Sequence, residues 1–381
     1  MGRERVLIVG ISTRAFAEAA HAAGWECSSV DAFGDLDQKT RVNNVGVLRD
    51  LGRPYSAAAA VAAARRLPGS SVAYVGNLEN HPDAVGRLGR GRELLGNSPQ
   101  ALLRCRDLRE FQRVVRRAGG RLPRTHFPGD PRPRPGGRRF LRKPIRGGGG
   151  QGIRELTSDQ HPSRHELAQE HIDGIPGSVS FLADGRRACL LGIARGLAGE
   201  PAFGGTGYRY CGSLFPLAVT DRLLERLDDV VQSATRVFGL LGLNGIDFVL
   251  RDDEAVVLEL NPRYSASMEL IQRAGTTGLF GLHAAACRGS LPASLPPPAP
   301  GVWGKAVLWA RRNVVAPHTR RWLARDEIRD IPFPSERIAN GSPICTVFGH
   351  GRDAGACLVA LRGAAGAVER NLTPAPEPLR V

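Results

Sequence analysis

The stretch that decides the fold reads Phe140-Leu141-Arg142-Lys143-Pro144-Ile145-Arg146, then Gly147 to Gly150, then Gln151-Gly152-Ile153. A lysine ends a short apolar run and stands directly before a glycine-rich turn. The chain carries 52 Lys+Arg, yet its only lysines are Lys39, Lys143 and Lys305. Lysine's compact point charge suits a narrow phosphate pocket, and glycines let backbone N–H groups approach phosphate oxygens. The stretch therefore predicts a strand–loop–strand flap over a phosphate, although Gly147 to Gly150 alone also fit a glycine-rich surface loop.

A second motif follows about a hundred residues later, at Asn244 to Leu250 and Val256 to Arg263. Asp247 lies in an alternating strand, and Glu259 and Asn261 share one face of the partner strand because they are two residues apart. Carboxylate and amide oxygens of this kind suit magnesium, which completes its shell with phosphate oxygens and water. Arg263 adds a bidentate donor suited to a transferring phosphoryl group or a carboxylate. Solvated polar residues are the alternative, but the upstream flap favours a nucleotide and metal site.

The composition limits the class of protein. With 381 residues, 42% hydrophobic and 23% charged, the chain is expected to form two or three packed globular domains. No apolar stretch approaches the ~20 residues needed to cross a bilayer, and the seven cysteines are scattered without a Cys-x-x-Cys pair. We therefore expect a cytoplasmic protein with neither a disulfide framework nor a structural zinc site.

The net charge of +15 raises the question of nucleic-acid binding. The arginines are spread along the whole chain, aromatic residues make up only 6%, and no nucleic-acid-binding signature is present. The charge therefore favours an anionic small-molecule ligand over a specific nucleic acid.

The pattern along the chain predicts an α/β protein of three parts. Residues 1–100 read as a Rossmann-like lobe that begins with the buried strand Val6 to Gly10, but they lack Gly-x-Gly-x-x-Gly, which argues against a nicotinamide cofactor. Residues 101–290 hold both motifs, and residues 301–381 read as a small α+β lobe. A short helix is expected at 163–170, and an ordinary surface position is expected for Lys305.

With these motifs in this order, the chain resembles the ATP-grasp superfamily over most of its length. The resemblance implies a Rossmann-like lobe ahead of the grasp domain, ATP as nucleotide, and Mg²⁺ (or Mn²⁺) as metal. It implies that Lys143 binds the phosphates, that Glu170 and Ile172 lie at the adenine hinge, and that Arg263 steadies the centre where an acyl phosphate forms. It further implies that the phosphates are covered by Gly147, Gly148, Gly149, Gly150, Gln151 and Gly152. The metal ligands that it implies are Asp247, Glu259 and Asn261.

The sequence departs from the superfamily pattern in two places. Leu108 stands where many members carry an earlier phosphate-binding lysine, and Arg104, Arg106 or Arg109 is expected to compensate. The ribose-binding glutamate that commonly follows the hinge is also absent, since Gly174-Ile175-Pro176 occupies that place.

The resemblance implies an ATP-dependent ligase that joins a small-molecule carboxylate to an amine and releases ADP. Two stretches resemble one branch of the superfamily: Asn77-Leu78-Glu79-Asn80 and Glu259 to Ser267. This branch includes the tyramine–glutamate ligase of methanofuran and methylofuran synthesis, so glutamate and tyramine are the first expected substrates. Tyr208 and Tyr210 are expected either to line the acceptor pocket or to have a packing role. The alternatives are a bicarbonate-using carboxylase and a non-catalytic nucleotide- or nucleic-acid-binding protein; no membrane partner is expected, and a homodimer is left open.

Overall fold

A computed structural model describes residues 3–131, 133, 137–157 and 162–375. The amino-terminal part is a parallel five-stranded sheet with the order β3-β2-β1-β4-β5. Its central strand is buried on both faces, because Val6 to Val9 are all apolar and have no exposed surface. The elements of this part are β1 Arg5–Val9, α1 Arg14–Ala22, β2 Glu26–Asp31, α2 Leu36–Lys39, β3 Asn43–Gly46, α3 Val47–Leu51, α4 Ala57–Ala64, β4 Ser71–Tyr74, α5 Pro82–Leu88, β5 Glu93–Leu95 and α6 Pro99–Cys105, with a 3₁₀ turn at Leu78–Asn80.

A helix and a small four-stranded sheet follow, and the sheet carries the glycine-rich turn. Asp107 caps the helix by accepting hydrogen bonds from the N–H groups of Arg109 and Glu110. The short helix expected at 163–170 is wrong, because the backbone of this segment pairs with strands on both sides. The elements are α7 Leu108–Arg117, β6 Thr125–His126, β7 Phe140–Pro144, β8 Arg154–Glu155 and β9 Glu166–Glu170, with the sheet order β6-β9-β7-β8.

An eight-stranded antiparallel sheet forms the centre of the molecule, in the order β14-β13-β10-β11-β12-β15-β19-β17. The amphipathic helix α8 covers one face of this sheet, and Thr220 caps it by accepting a hydrogen bond from the N–H of Leu223. Its elements and their connections are β10 Ile175–Asp184, β11 Ala188–Ala198, β12 Tyr210–Phe215, α8 Asp221–Phe238, β13 Leu241–Arg251, β14 Glu254–Asn261, α9 Met268–Arg273, α10 Leu279–Cys287 and β15 Val302–Trp309.

The carboxyl-terminal part adds β16 Val314–Val315, β17 Ile328–Arg329, β18 Arg337–Ile338, β19 Pro343–Gly351, α11 Ala354–Glu369 and β20 Thr373–Pro374. Strands β15 and β19 pair with each other, and β15 also pairs with β12, so this part continues the central sheet while keeping its own helix and small sheet. The domain boundaries at residues 100 and 301 stay a prediction. Strands β12 and β15, which precede and follow the proline-rich segment 291–301, pair with each other.

Buried aromatic residues hold the amino-terminal part against the central part. Phe16 of α1 stacks on Tyr264, with ring centroids 4.5 Å apart, and lies 5.0 Å from Phe280 of α10. The loops after β1 and β4 are thereby fixed against the end of β14. Across the ranges that the structure describes, no helix is both long and apolar enough to cross a membrane.

Candidate active site

Two paired strands bring the predicted metal ligands together. Asp247 of β13 lies directly opposite Glu259 of β14, and Gly245 lies opposite Asn261. The amide nitrogen of Asn261 donates a hydrogen bond of 2.8 Å to Asp247. The structure therefore places the three polar side chains on one face of one strand pair, as the two-residue spacing predicts.

The electrostatics of this strand pair fit a cation. Burial, and then the adjacent charge of Glu259, raise the pKa of Asp247 to about 6. A divalent cation between the carboxylates would neutralise this excess of negative charge, and carboxylate oxygens are the ligands that magnesium prefers. No group of three or more His, Cys, Asp or Glu side chains suited to a metal occurs among the described residues, so phosphate oxygens and water would complete the shell.

Arg263 connects this site to the amino-terminal sheet. Its Nε donates a hydrogen bond of 2.8 Å to Glu79, and its Nη2 lies 3.4 Å from the amide oxygen of Asn261. A Cβ on Gly76 would come within 3.2 Å of the guanidinium, so glycine gives the side chain room to lie against this backbone. Arg263 thus stands between the predicted metal ligands and the loop after β4.

Lys143 and Glu259 line one narrow cleft of about 40 Å³ between β7, α7 and β14. The ammonium of Lys143 donates a hydrogen bond of 2.9 Å to the side-chain oxygen of Gln169 on β9. Glu170 accepts hydrogen bonds from the backbone N–H of Arg124 and from Arg138, and Ile172 follows the end of the strand. Leu167 and Gln169 are the β9 residues that line the cleft, and the alternating pattern of a strand was the signal that could have placed them on one face.

Arg106 is the arginine that lines this cleft together with Leu108. It donates a hydrogen bond of 3.2 Å to the backbone oxygen of Ile145, while its Nε is buried without a partner among the described residues. Arg104 is bound to Glu110 and Arg109 to Asp130. Of the three arginines expected to compensate for Leu108, only Arg106 faces the cleft.

The glycine-rich turn, residues 147–152, lies against the start of β12. Tyr210 donates its backbone N–H to the oxygen of Gly149 at 2.9 Å. Gly150 has a φ of +72°, and a Cβ there would lie 1.8 Å from the backbone oxygen of Tyr208. The turn can adopt this position only because position 150 has no side chain.

A larger cavity of about 770 Å³ opens beside the turn, between the loops after β1, β2 and β4, the end of β14 and the carboxyl-terminal strands. Tyr210 and Arg263 line it, and so does Lys305. Tyr208 instead packs edge-on against His171, with the ring centroids 6.0 Å apart. The cavity therefore connects the turn and Arg263 to side chains that the two sequence motifs did not include.

The expectation of a surface position for Lys305 is wrong. Its side chain is buried and donates a hydrogen bond of 2.6 Å to Glu269. Arg14, which is also buried, binds the same carboxylate and Asp330. Lys305 lies inside because β15 is an inner strand of the central sheet, with Ser213 and Phe348 opposite it on the two neighbouring strands. The scarcity of lysine was the signal that could have identified it.

The comparisons with known proteins agree with this geometry. Residues 105–267 match the family model of the ATP-grasp domain. This segment is similar to an ATP-grasp domain. The matched region includes Lys143, the glycine-rich turn, the strand pair β13–β14 and Arg263, so both sequence motifs fall inside it.

Two curated relatives show the extent of the sequence similarity. An uncharacterized protein of Methanocaldococcus jannaschii is 26% identical over 218 residues, which cover 54% of this chain and 49% of that protein. The carbamoyl phosphate synthase large chain of Kocuria rhizophila is 29% identical over 227 residues, 52% of this chain and 19% of its own length. The chain thus matches about half or less of the length of these relatives.

Solved structures extend the likeness of the fold to nearly the whole chain. The biotin carboxylase domain of Hydrogenobacter thermophilus 2-oxoglutarate carboxylase, in complex with MgADP, ADP and bicarbonate, has a TM-score of 0.71 at 14% identity and covers 98% of this chain and 90% of that one. Phosphoribosylamine–glycine ligase of Thermotoga maritima has a TM-score of 0.66 at 15% identity, with 97% of each chain covered. The α/β architecture is therefore the ATP-grasp fold with its preceding Rossmann-like lobe.

Proposed function

We propose that the protein is an ATP-dependent carboxylate–amine ligase that forms an amide bond through an acyl phosphate. The observation that carries the proposal is the meeting of Lys143 and Glu259 in one cleft, with Asp247 facing Glu259 across the strand pair. A point charge on one side and paired carboxylates on the other are the two halves of a site for a nucleotide phosphate and its metal. The MgADP bound by the structurally similar 2-oxoglutarate carboxylase domain supports ATP and magnesium as cofactors.

Each part of the site has a role in this proposal. Lys143 and Arg106 bind the phosphates from one side, and the glycine-rich turn covers them through its backbone N–H groups. Asp247, Glu259 and Asn261 hold magnesium or manganese, which when bound stabilises charge on the phosphate oxygens. Arg263 holds the oxygens of the transferring phosphoryl group or of the substrate carboxylate, and Glu170 and Ile172 lie at the adenine end.

The reaction balances with these parts. An oxygen of the substrate carboxylate attacks the γ-phosphorus, the bond from that phosphorus to the β–γ bridging oxygen breaks, and ADP leaves. The lone pair of a neutral amine then attacks the acyl carbon, phosphate leaves with the bonding pair, and the amine loses a proton. A closed turn keeps water from hydrolysing the acyl phosphate between the two steps.

The small volume of the cleft implies that the protein moves during the reaction cycle. A volume of about 40 Å³ is too small for a nucleotide, so the four-stranded sheet that carries Lys143 has to move away from β14 for entry. Closure of such a flap on bound substrate assembles the site and excludes water.

For the substrates we propose glutamate as the carboxylate and tyramine as the amine, for a ligase of methylofuran synthesis. Tyr210 supports this assignment, because it lines the large cavity and an aromatic ring can stack on a phenol. A cytoplasmic location and a homodimer belong to the same proposal.

The test is a screen of ADP release by the purified protein with MgATP against a matrix of amino acids and amines. We expect turnover only with a carboxylate and an amine together, with ADP as product, and the strongest signal with glutamate plus tyramine. Release of AMP and pyrophosphate would contradict the acyl-phosphate route. ATP consumption that needs only bicarbonate would indicate the carboxylase alternative, and no substrate-dependent ADP release would indicate a non-catalytic binding protein.

A further inference from the structure

The carboxyl edge of the amino-terminal sheet opens onto the large cavity. In the order β3-β2-β1-β4-β5, strands β2 and β3 lie on one side of β1, and strands β4 and β5 lie on the other side. The order of the strands therefore reverses between β1 and β4. In open parallel sheets, ligands bind at the carboxyl ends of the strands where the order reverses in this way. The loops that follow the two strands contribute Ile11 and Ser12, and Asn77 and Glu79, to the cavity lining.

Buried polar atoms without partners gather at this edge. The second carboxylate oxygen of Glu79 and the amide oxygen of Asn77 have no hydrogen-bond partner among the described residues, and both residues line the cavity. Glu79 is only 2% exposed, and its other oxygen is occupied by Arg263. Leaving buried polar atoms unpaired is costly, so a polar ligand is expected to satisfy them.

Four carboxylates face the cavity from this side and form an anionic wall: Asp35, Glu79, Asp330 and Glu336. Three of them have ion-pair partners, since Glu79 binds Arg263, Asp330 binds Arg14 and Glu336 binds Arg49. Asp35 has no hydrogen bond or ion pair to its side chain within the described ranges. Burial, and then the charges of Asp330 and Asp31, raise the pKa of Asp35 well above its ordinary value.

The positive charges around the cavity are already matched, with one exception. Arg14 and Lys305 both bind Glu269. Arg146, at the start of the glycine-rich turn, has no ion-pair partner among the described residues and lines the cavity from the turn. Counted over the described residues, the cavity therefore has one basic side chain without a counter-ion, Arg146 at the turn, and one carboxyl group without a counter-ion, Asp35 on the anionic wall.

We propose that the anionic wall binds the protonated amino group of a small substrate, with Asp35 as its principal partner and Glu79 as a second acceptor. The inference rests on the proposed function and narrows its substrate class to molecules that carry an ammonium group. Phe33 lines the same cavity and adds an aromatic ring suited to a cation, whereas Trp309, which also lines it, already carries the guanidinium of Arg209 4.6 Å from its ring centroid. A volume of about 770 Å³ accommodates an amino-acid-sized molecule, and an anion such as bicarbonate would face the unpaired carboxylate of Asp35.

The experiment compares matched ligands that differ only in the amino group. Titration calorimetry on the full chain without nucleotide measures dissociation constants for a panel of amino acids and amines beside their deaminated analogues, such as glutamate beside glutarate and tyramine beside 4-ethylphenol. At least one amino compound should bind at least about 10-fold more tightly than its analogue, as expected for a charge-assisted hydrogen bond. Asp35→Asn should bring that ratio close to one, while Asp83→Asn, on an exposed residue of the same part of the chain, should leave it unchanged.

The outcomes separate this inference from the proposed ligase activity. Asp35→Asn removes a partly buried carboxyl group that lies near Asp330 and Asp31 and has no partner among the described residues. Its thermal midpoint should therefore equal or exceed that of the wild type, and lost binding cannot then be ascribed to unfolding. The inference is overturned by any of three results: every amino compound binds as tightly as its analogue, the ratio of dissociation constants is unchanged in Asp35→Asn, or no amino compound binds. Because the titrations contain no nucleotide, loss of this amino-group selectivity would overturn the inference and leave the ligase class standing, which the separate ADP-release screen tests.

Discussion

Replacement of Glu269 by glutamine tests whether the buried charge network holds the three parts of the chain together. Glu269 accepts hydrogen bonds from Arg14 of α1 and from Lys305 of β15, and Arg14 also binds Asp330 near β17. Burial alone would raise the pKa of Glu269, but Arg14 and Lys305 hold it well below its ordinary value. The carboxylate is therefore ionised at neutral pH and neutralises two buried cations.

The substitution removes this charge and leaves Lys305 buried without a counter-ion. Breaking one partner out of a buried ion pair costs about 3–5 kcal/mol. With an unfolding entropy of about 2.1 cal/mol/K per residue, this loss lowers the midpoint of thermal unfolding of a chain of 381 residues by about 4–6 °C. Glu26→Gln, which breaks the exposed pair with Arg5, should cost no more than about 1 kcal/mol.

The pH dependence gives the reasoning a second, independent readout. A carboxyl group whose pKa is depressed on folding stabilises the folded state above its unfolded value and loses that contribution as the pH falls. The advantage of wild type over Glu269→Gln should therefore be full at pH 7 and shrink below about pH 4.3, the ordinary value for glutamate.

The assay is calorimetric or fluorescence-monitored unfolding of both variants and the wild type from pH 7 to pH 3.5. The double variant Glu269→Gln/Lys305→Met should recover part of the lost stability, because it removes the buried charge left unpaired by the single change. A midpoint for Glu269→Gln within 1–2 °C of wild type at pH 7, roughly the effect of the exposed pair, would refute the reasoning.

The other predictions concern the nucleotide site. Lys143→Ala should raise the ATP concentration required by roughly 10-fold or more, and Lys143→Arg should also lose activity because a guanidinium is bulkier than an ammonium; full activity of the arginine variant would contradict the argument from lysine scarcity. Glu259→Gln should lower magnesium-dependent turnover by more than the roughly 10–100-fold typical of residues outside the ligand shell, with an unchanged thermal midpoint. Gly150→Ala should raise the KM for ATP, because its Cβ would meet the backbone oxygen of Tyr208. Gly129→Ala is the control for backbone strain alone, since Gly129 has a similar φ of +88° and open space around it. Equal effects of the two substitutions would exclude a role for the contact between the glycine-rich turn and Tyr208.

Much of the fold and of the candidate site follows from local signals in the sequence. The apolar run Val6 to Val9 predicted a buried strand of a parallel sheet, and the two-residue spacing of Glu259 and Asn261 predicted that their side chains share one face. Such patterns are readable because side-chain direction repeats with a fixed period along a strand. The helix expected at 163–170 was wrong for the converse reason: pairing on both sides made this segment a strand, and strand pairing depends on partners distant in the chain.

The sequence by itself determined the α/β class and predicted the residues of the two motifs, because strand periodicity and glycine content act over a few neighbouring residues. Only the tertiary structure decided that Lys305 is buried and that Arg106 rather than Arg104 or Arg109 faces the cleft. It also decided that Asp35 lines a cavity without a partner in the part of the chain that is described. Arg14 and Glu269 are 255 positions apart in the chain and meet only after the amino-terminal sheet packs on the central one. The burial of a side chain and the pairing of buried charges depend on contacts between segments that are distant in the chain, and no local sequence pattern encodes such contacts.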